Sequence, residues 1–249
     1  MGALLSAHGV TKSFGGIRAL DGIDFALGEG EVLGIIGPNG AGKTALINTI
    51  TGFYRADSGS IRLAGDEISG LPIHAISRRG IARTFQNIRI FKRLTVLENV
   101  LVAGKRAALN PIAALFRLRR EKPALEAAAN LLSAFGLEAK ADWRAATLSY
   151  GEARRLEIAR ALYGGPQVLL LDEPAAGMNE AETERLVNDI RKARHRLRAV
   201  VLIEHDMSLI RALSTRLIAM DYGRKIAEGE PAAVLAHPQV QRAYLGEAA

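Results

Sequence analysis

Residues 37–44 read Gly-Pro-Asn-Gly-Ala-Gly-Lys-Thr and meet the phosphate-binding pattern Gly-x-x-x-x-Gly-Lys-Ser/Thr at all four specified positions. The residue types suit an anion. Glycines at 37, 40 and 42 let the main chain wrap closely, so that N–H groups across Asn39, Gly40, Ala41 and Gly42 point inward. Lys43 reaches the β- and γ-phosphates, and the Thr44 hydroxyl can ligate Mg²⁺. The setting argues against a glycine-rich turn that matches by chance. Glu31–Ile36 is an apolar run of strand length, and the residues from Lys43 onward have helical spacing. The loop therefore opens into a helix N-terminus, whose free donors and partial positive charge favour phosphate. These residues point to nucleoside triphosphate binding.

A second constellation lies about a hundred residues on. Leu148-Ser149-Tyr150-Gly151-Glu152 precedes a helical run, Arg154–Leu162, and then Val168–Leu171 ends in Asp172-Glu173. A strand apolar on both faces belongs in the middle of a parallel sheet. Ligands of such sheets sit beyond the carboxyl ends of the strands, where the two acids emerge. There Asp172 can hold Mg²⁺, and Glu173 can orient or deprotonate an attacking water. Paired acids after a strand are often only a helix cap or a surface turn; the order of the motifs favours chemistry.

That order resembles the ATP-binding cassette (ABC) family, over nearly the whole chain. The resemblance makes Ser149–Glu152 the signature sequence and Val168–Asp172 the Walker B strand. It implies that Gln86, after the strand-like Ile81–Phe85, contacts Mg²⁺ or its water and links nucleotide state to a transport partner. It implies that His205, closing the apolar run Ala199–Glu204, touches the γ-phosphate. Phe14 is a candidate to stack on adenine, with core packing as the competing reading. Two cassettes are expected to close head to tail, each ATP lying between one phosphate loop and the partner's Ser149 and Gly151. Transmembrane permease subunits and, indirectly, a substrate-binding protein complete the expected assembly at the cytoplasmic face of the inner membrane.

Finer details resemble the branched-chain amino-acid importer branch. They are the Tyr150-Gly151 signature, the Ala175-Ala176-Gly177-Met178-Asn179 loop, Ile203–Met207, and the ending Arg242-Ala243-Tyr244-Leu245-Gly246. Thr51–Tyr54 and Arg83–Gln86 favour the first of that system's two ATPase subunits. Glu152, Asn179 and Ala45 depart from the commoner Gln, Asp and hydroxyl residue of the wider family.

Composition agrees with an ATPase without a membrane span of its own. No apolar run approaches the length needed to cross a bilayer, and no secretion signal is expected at the N-terminus. Met1-Gly2 with Ser6 fits a myristoylation pattern that the setting disfavours. The chain has no cysteine, which excludes disulfides and thiol chemistry. A net charge of +7 could signal nucleic acid or anionic lipid. Arg191–Arg198 reads as a solvated helix end, Arg117–Lys122 suits an anionic membrane surface, and no nucleic-acid partner is expected. A cassette acting on ribosomes or DNA, or a small-molecule kinase, is the rival class; single-cassette length opposes the first and the signature the second.

The elements imply an α/β fold: a phosphate-loop NTPase core with a mostly parallel sheet, an N-terminal β subdomain and an inserted helical subdomain. One nucleotide-binding domain spans 1–249, with its core at 1–87 and 154–249 and the helical part at about 88–153. Short strands are expected at Leu4–His8, Ile23–Ala26 and Ser60–Leu63. Helices are expected at 43–51, ended by Gly52, and at 152–163 and 180–197, the last capped by Asn179 and Glu182. Asn87–Phe91 is too apolar for a free loop and is expected to line a groove for a permease helix.

Overall fold

The computed structural model describes residues 2–104 and 121–245. Most of the basic run at 117–122, the Asn110-Pro111 interruption, Met1 and Gly246 lie outside the described residues.

Two sheets organise the described residues. β1 (Leu5–Phe14), β2 (Ile17–Leu27), β4 (Ser58–Leu63) and β5 (Asp66–Glu67) form an antiparallel sheet in the order β2-β1-β4-β5. The second sheet runs β10-β9-β3-β8-β7-β6. It comprises β3 (Val32–Ile36), β6 (Ile81–Arg83), β7 (Val168–Asp172), β8 (Ala199–Ile203), β9 (Arg216–Asp221) and β10 (Arg224–Gly229). All its pairings are parallel except β10 against β9.

The central strands are apolar on both faces because both faces are covered. Leu33, Ile35, Leu170, Val201 and Ile203 point to a core shared with α1 (Lys43–Ile50) and the antiparallel sheet. Their neighbours Val32, Ile36, Leu169, Leu171 and Leu202 point to the opposite core. There they meet α3 (Val96–Leu101), α4 (Lys122–Ala134), α5 (Tyr150–Tyr163), α6 (Glu180–Ala193) and α7 (Met207–Leu213). The remaining α-helices among the described residues are α2 (Ile73–Arg78), α8 (Pro231–Leu235) and α9 (Pro238–Leu245).

Caps fix several boundaries. Gly52 (φ +78°) follows α1; its N–H bonds Thr49 O, and Phe53 N–H reaches Asn48 O at 2.9 Å, a left-handed stop. Asn179 and Glu182 cap α6 reciprocally, as expected, but the helix ends at Ala193 and passes into a 3₁₀ turn, Arg194–Arg196. The first two strands run longer than expected. Register shifts between Ala7 and Ser13 break the two-residue alternation that marks a strand in sequence. Polar β10 and the terminal helices α8 and α9 carry too little periodicity to read.

Candidate active site

Ile35 pairs with Ile203, and Ile203 with Asp172. The residues that follow β3, β8 and β7 therefore leave the sheet side by side. β6 pairs with β7, and Thr84 N–H extends that contact to Leu170 O at 2.9 Å, bringing Gln86 to the same edge.

The phosphate loop needs its glycines. A Cβ on Gly37 would fall 2.2 Å from Met220 O, and one on Gly42 (φ +100°) would fall 2.4 Å from Ala19 O. Gly42 is also the N-cap of α1, and no side chain caps that helix. Its first-turn donors are left to a ligand. Lys43 is only 6% exposed, with Nζ donating to the carbonyls of Gly37 and Pro38 at 2.6 and 2.9 Å. Burial lowers its pKa; the charges of Glu173 and Asp172 oppose that shift. An ammonium held on neutral carbonyls gains from an incoming anion.

Glu173 leaves β7 with φ +47°, a left-handed conformation uncommon for a residue with a side chain. Its carboxylate takes Gln86 Nε2 on one oxygen and His205 Nε2 on the other, each at 2.6 Å. Residues 39–45, Gln86 and Glu173 line one cleft of about 370 Å³. Thr44 is exposed within it. Asp172, 4% exposed, is held from behind by Arg83 at 2.8 Å. Arg83 also reaches Asn48 at 2.5 Å and lies over the rings of Phe53 and Phe85.

Glu204 joins the loops behind Glu173 and His205. It is 3% exposed and accepts N–H groups of Ala175 at 2.8 Å and His205 at 3.0 Å. Burial pushes its pKa up against those hydrogen bonds. Tyr244, on α9, accepts the Gly37 N–H at 2.7 Å. Sequence reasoning assigned no role to Arg83, Glu204 or Tyr244. A charge inside or closing an apolar strand was the available signal for the first two.

The signature turn lies apart from this cleft. Ser149 is the exposed N-cap of α5, and with Glu152 it forms a reciprocal capping box. Lys140 pairs with Glu152 at 2.6 Å. Burial raises the pKa of Glu152, but that lysine and the Ser149 N–H outweigh it and hold the carboxyl below its ordinary value. Gly151 is buried beside Glu182, and the Tyr150 ring packs over Gly177. Phe14 is outside the cleft as well: it meets Tyr54 edge to face at 4.8 Å and is 41% exposed. An apolar groove of about 740 Å³ runs beside the Gln86 segment, lined by Phe53, Ile73, Phe85 and Val102 among others. Ile90 and Phe91, expected to line it, do not. Asn99 pins the backbone of Phe91 through both its N–H and C=O, Ile90 packs on the helical core, and Phe91 lies exposed beside Arg160.

Residues 20–176 match the ABC transporter family. The chain belongs to that family. It is an ATP-hydrolysing cassette with a nucleotide-binding phosphate loop. Residues 224–249 match a second family, described as branched-chain amino acid ATP-binding cassette transporter. The cassette is 46% identical to the high-affinity branched-chain amino acid transport ATP-binding protein BraF of Pseudomonas aeruginosa, over 98% of each chain. It is 42% identical to LivG of Escherichia coli strain K12, again over 98% of each chain. A crystal structure of an ABC transporter's ATP-binding cassette in its ADP conformation is 33% identical, with a TM-score of 0.88 over 99% of this chain and 100% of that one.

The residues around the cleft fit Mg²⁺ better than a caged metal. Among the described residues no cluster of three His, Cys, Asp or Glu side chains could hold an ion. A hydroxyl, an amide oxygen and one carboxylate suit a hard cation that takes its other ligands from phosphate and water.

Proposed function

We propose that the cassette powers import of branched-chain or closely related amino acids. The observation that carries the cargo is the carboxyl-terminal segment, residues 224–249, matching the branched-chain cassette family. Identity to BraF and LivG over nearly all of each chain supports it. Lys43 and the N–H groups at 39–42 bind the phosphates. Thr44, Gln86 and Asp172 would hold Mg²⁺, which when bound would neutralise phosphate charge. Glu173 orients the water that attacks the γ-phosphorus and accepts its proton as the bond to the β–γ bridging oxygen breaks and ADP leaves, while Gln86 and His205 fix the carboxylate. Phe14 offers its exposed ring to adenine.

Ser149 and Gly151 serve the ATP of a second cassette, a paralogue or another copy, in a head-to-tail dimer. The helical part, expected at about 88–153, is the body that moves against the core; that boundary falls inside α5 (Tyr150–Tyr163), so the whole helix moves with it. Permease subunits dock a short cytoplasmic helix in the Phe53–Phe85 groove, which places the cassette at the cytoplasmic face of the inner membrane. The test is purification with the membrane partner followed by uptake in vesicles. ATP-dependent accumulation of labelled leucine, isoleucine or valine is expected. Uptake of other solutes alone would overturn the cargo, and co-purification with ribosomes or DNA instead of a permease would overturn the transport reading.

A further inference from the structure

The helix that carries the signature also contains the most deeply buried ion pair of the described residues. Arg154 has 0% of its side chain exposed and Glu157 1%, with Arg154 Nη1 2.8 Å from Glu157 Oε2. Charges at such depth are rare, and an apolar pair of similar volume would hold a helix to its core at least as well. What apolar side chains cannot supply is direction. The Arg154 fork donates to two consecutive carbonyls, Phe85 O at 2.5 Å and Gln86 O at 2.6 Å. Glu157, through its other oxygen, accepts Arg89 N–H at 3.0 Å. The pair therefore holds both ends of the short segment 85–89, whose Gln86 side chain touches Glu173.

We propose that Arg154 and Glu157 are positioning residues that make the Gln86 segment and the signature helix move as one piece. Ser149 and Gly151 lie at the start of the same helix, within about one and a half turns of Arg154. A shift of the Gln86 backbone at one ATP is thereby delivered to the residues that meet the other ATP. This inference rests on the roles given above to Gln86 and Ser149.

The experiment uses the full chain carrying Arg154→Met with Glu157→Leu, which removes both charges together and the three backbone hydrogen bonds. Arg154→Lys is the second variant; it keeps the charge but replaces the two-pronged fork with a single ammonium. The expected result is a split: nucleotide affinity within about threefold of native, and kcat lower by about 10- to 100-fold. Hydrogen exchange supplies a readout that loss of packing alone would not move. In the native chain, Mg-ADP alters exchange at 85–89 and at 149–153 together; in the variants only 85–89 responds. Native kcat in either folded variant overturns the proposal. So does a fall in affinity as large as the fall in kcat, or preserved joint exchange. If Glu173→Gln hydrolyses ATP normally, the site reading itself has failed; if that variant is inactive and the Arg154 variants are native-like, only this inference has.

Discussion

At the start of α1, Gly42 leaves the first turn without a side-chain cap; at the start of α5, Ser149 and Glu152 cap it reciprocally. Both turns place a glycine-bearing helix N-terminus where phosphate is expected, yet they are finished in opposite ways. The phosphate loop leaves backbone donors for a ligand and buries Lys43 on carbonyls. The signature turn pairs two of its backbone donors, Ser149 N–H and Glu152 N–H, with its own side chains, and Ser149 lies exposed. The first region is incomplete without an anion, whereas the second is capped by its own side chains. Bound nucleotide should therefore contact α1 directly and reach α5 of the same chain only through the Gln86 segment.

The largest expected effect on nucleotide binding is at Lys43. Mg-ATP at about a hundred times Kd should stabilise the native chain by about 2.7 kcal/mol, seen as a thermal shift. Lys43→Ala should abolish most of that shift, and an undiminished shift would remove the lysine from the phosphate site. Ser149→Ala should behave in the opposite way. Loss of the cap costs about 1 kcal/mol of stability, while the nucleotide-induced shift stays intact. A lost shift there would erase the contrast between the two turns.

Tyr244→Phe removes the hydroxyl that accepts the Gly37 N–H. A stability loss of about 0.5–1 kcal/mol and nucleotide binding weakened less than tenfold are expected from denaturation and titration. No change in either would make the contact between α9 and the loop incidental.

The smallest effect is on pH. Burial keeps the Lys43 pKa below its ordinary 10.5. Phosphate favours the charged amine, so nucleotide affinity should fall as pH rises through that lowered value, earlier than for an ordinary lysine. Without nucleotide the sign is reversed. A lowered lysine pKa disfavours the folded state at neutral pH, and the cost fades as pH rises from the folded value toward the unfolded one. Affinity measured from neutral to pH 10.5 tests this; a flat profile up to the ordinary lysine range contradicts it.

The parts legible in sequence are those where local pattern and chemistry coincide. Residues 37–44 needed only spacing, β7 and β8 only unbroken apolar runs, and α6 only its Asn179–Glu182 cap. The link from Gln86 through Glu173 to His205 was legible as residues but not as one hydrogen-bonded unit, because the three come from separate strands. Arg83 and Arg154 were harder. Their partners lie 89 and 69 positions away, and a buried arginine looks in sequence like a solvated one. The groove beside Gln86 was expected at Ile90 and Phe91, but Phe53 and Phe85 are among its lining residues, while Asn99 holds the Phe91 backbone.

The most direct test is a single-turnover comparison of native chain and Glu173→Gln at equal ATP occupancy. The left-handed turn at Glu173 and its two 2.6 Å contacts place this carboxylate beside the phosphate loop. Loss of a general base costs about 10²- to 10⁴-fold, roughly 3–5 kcal/mol of barrier. The variant should bind ATP as the native chain does and hydrolyse it slower by that factor. Hydrolysis at the native rate would contradict the account.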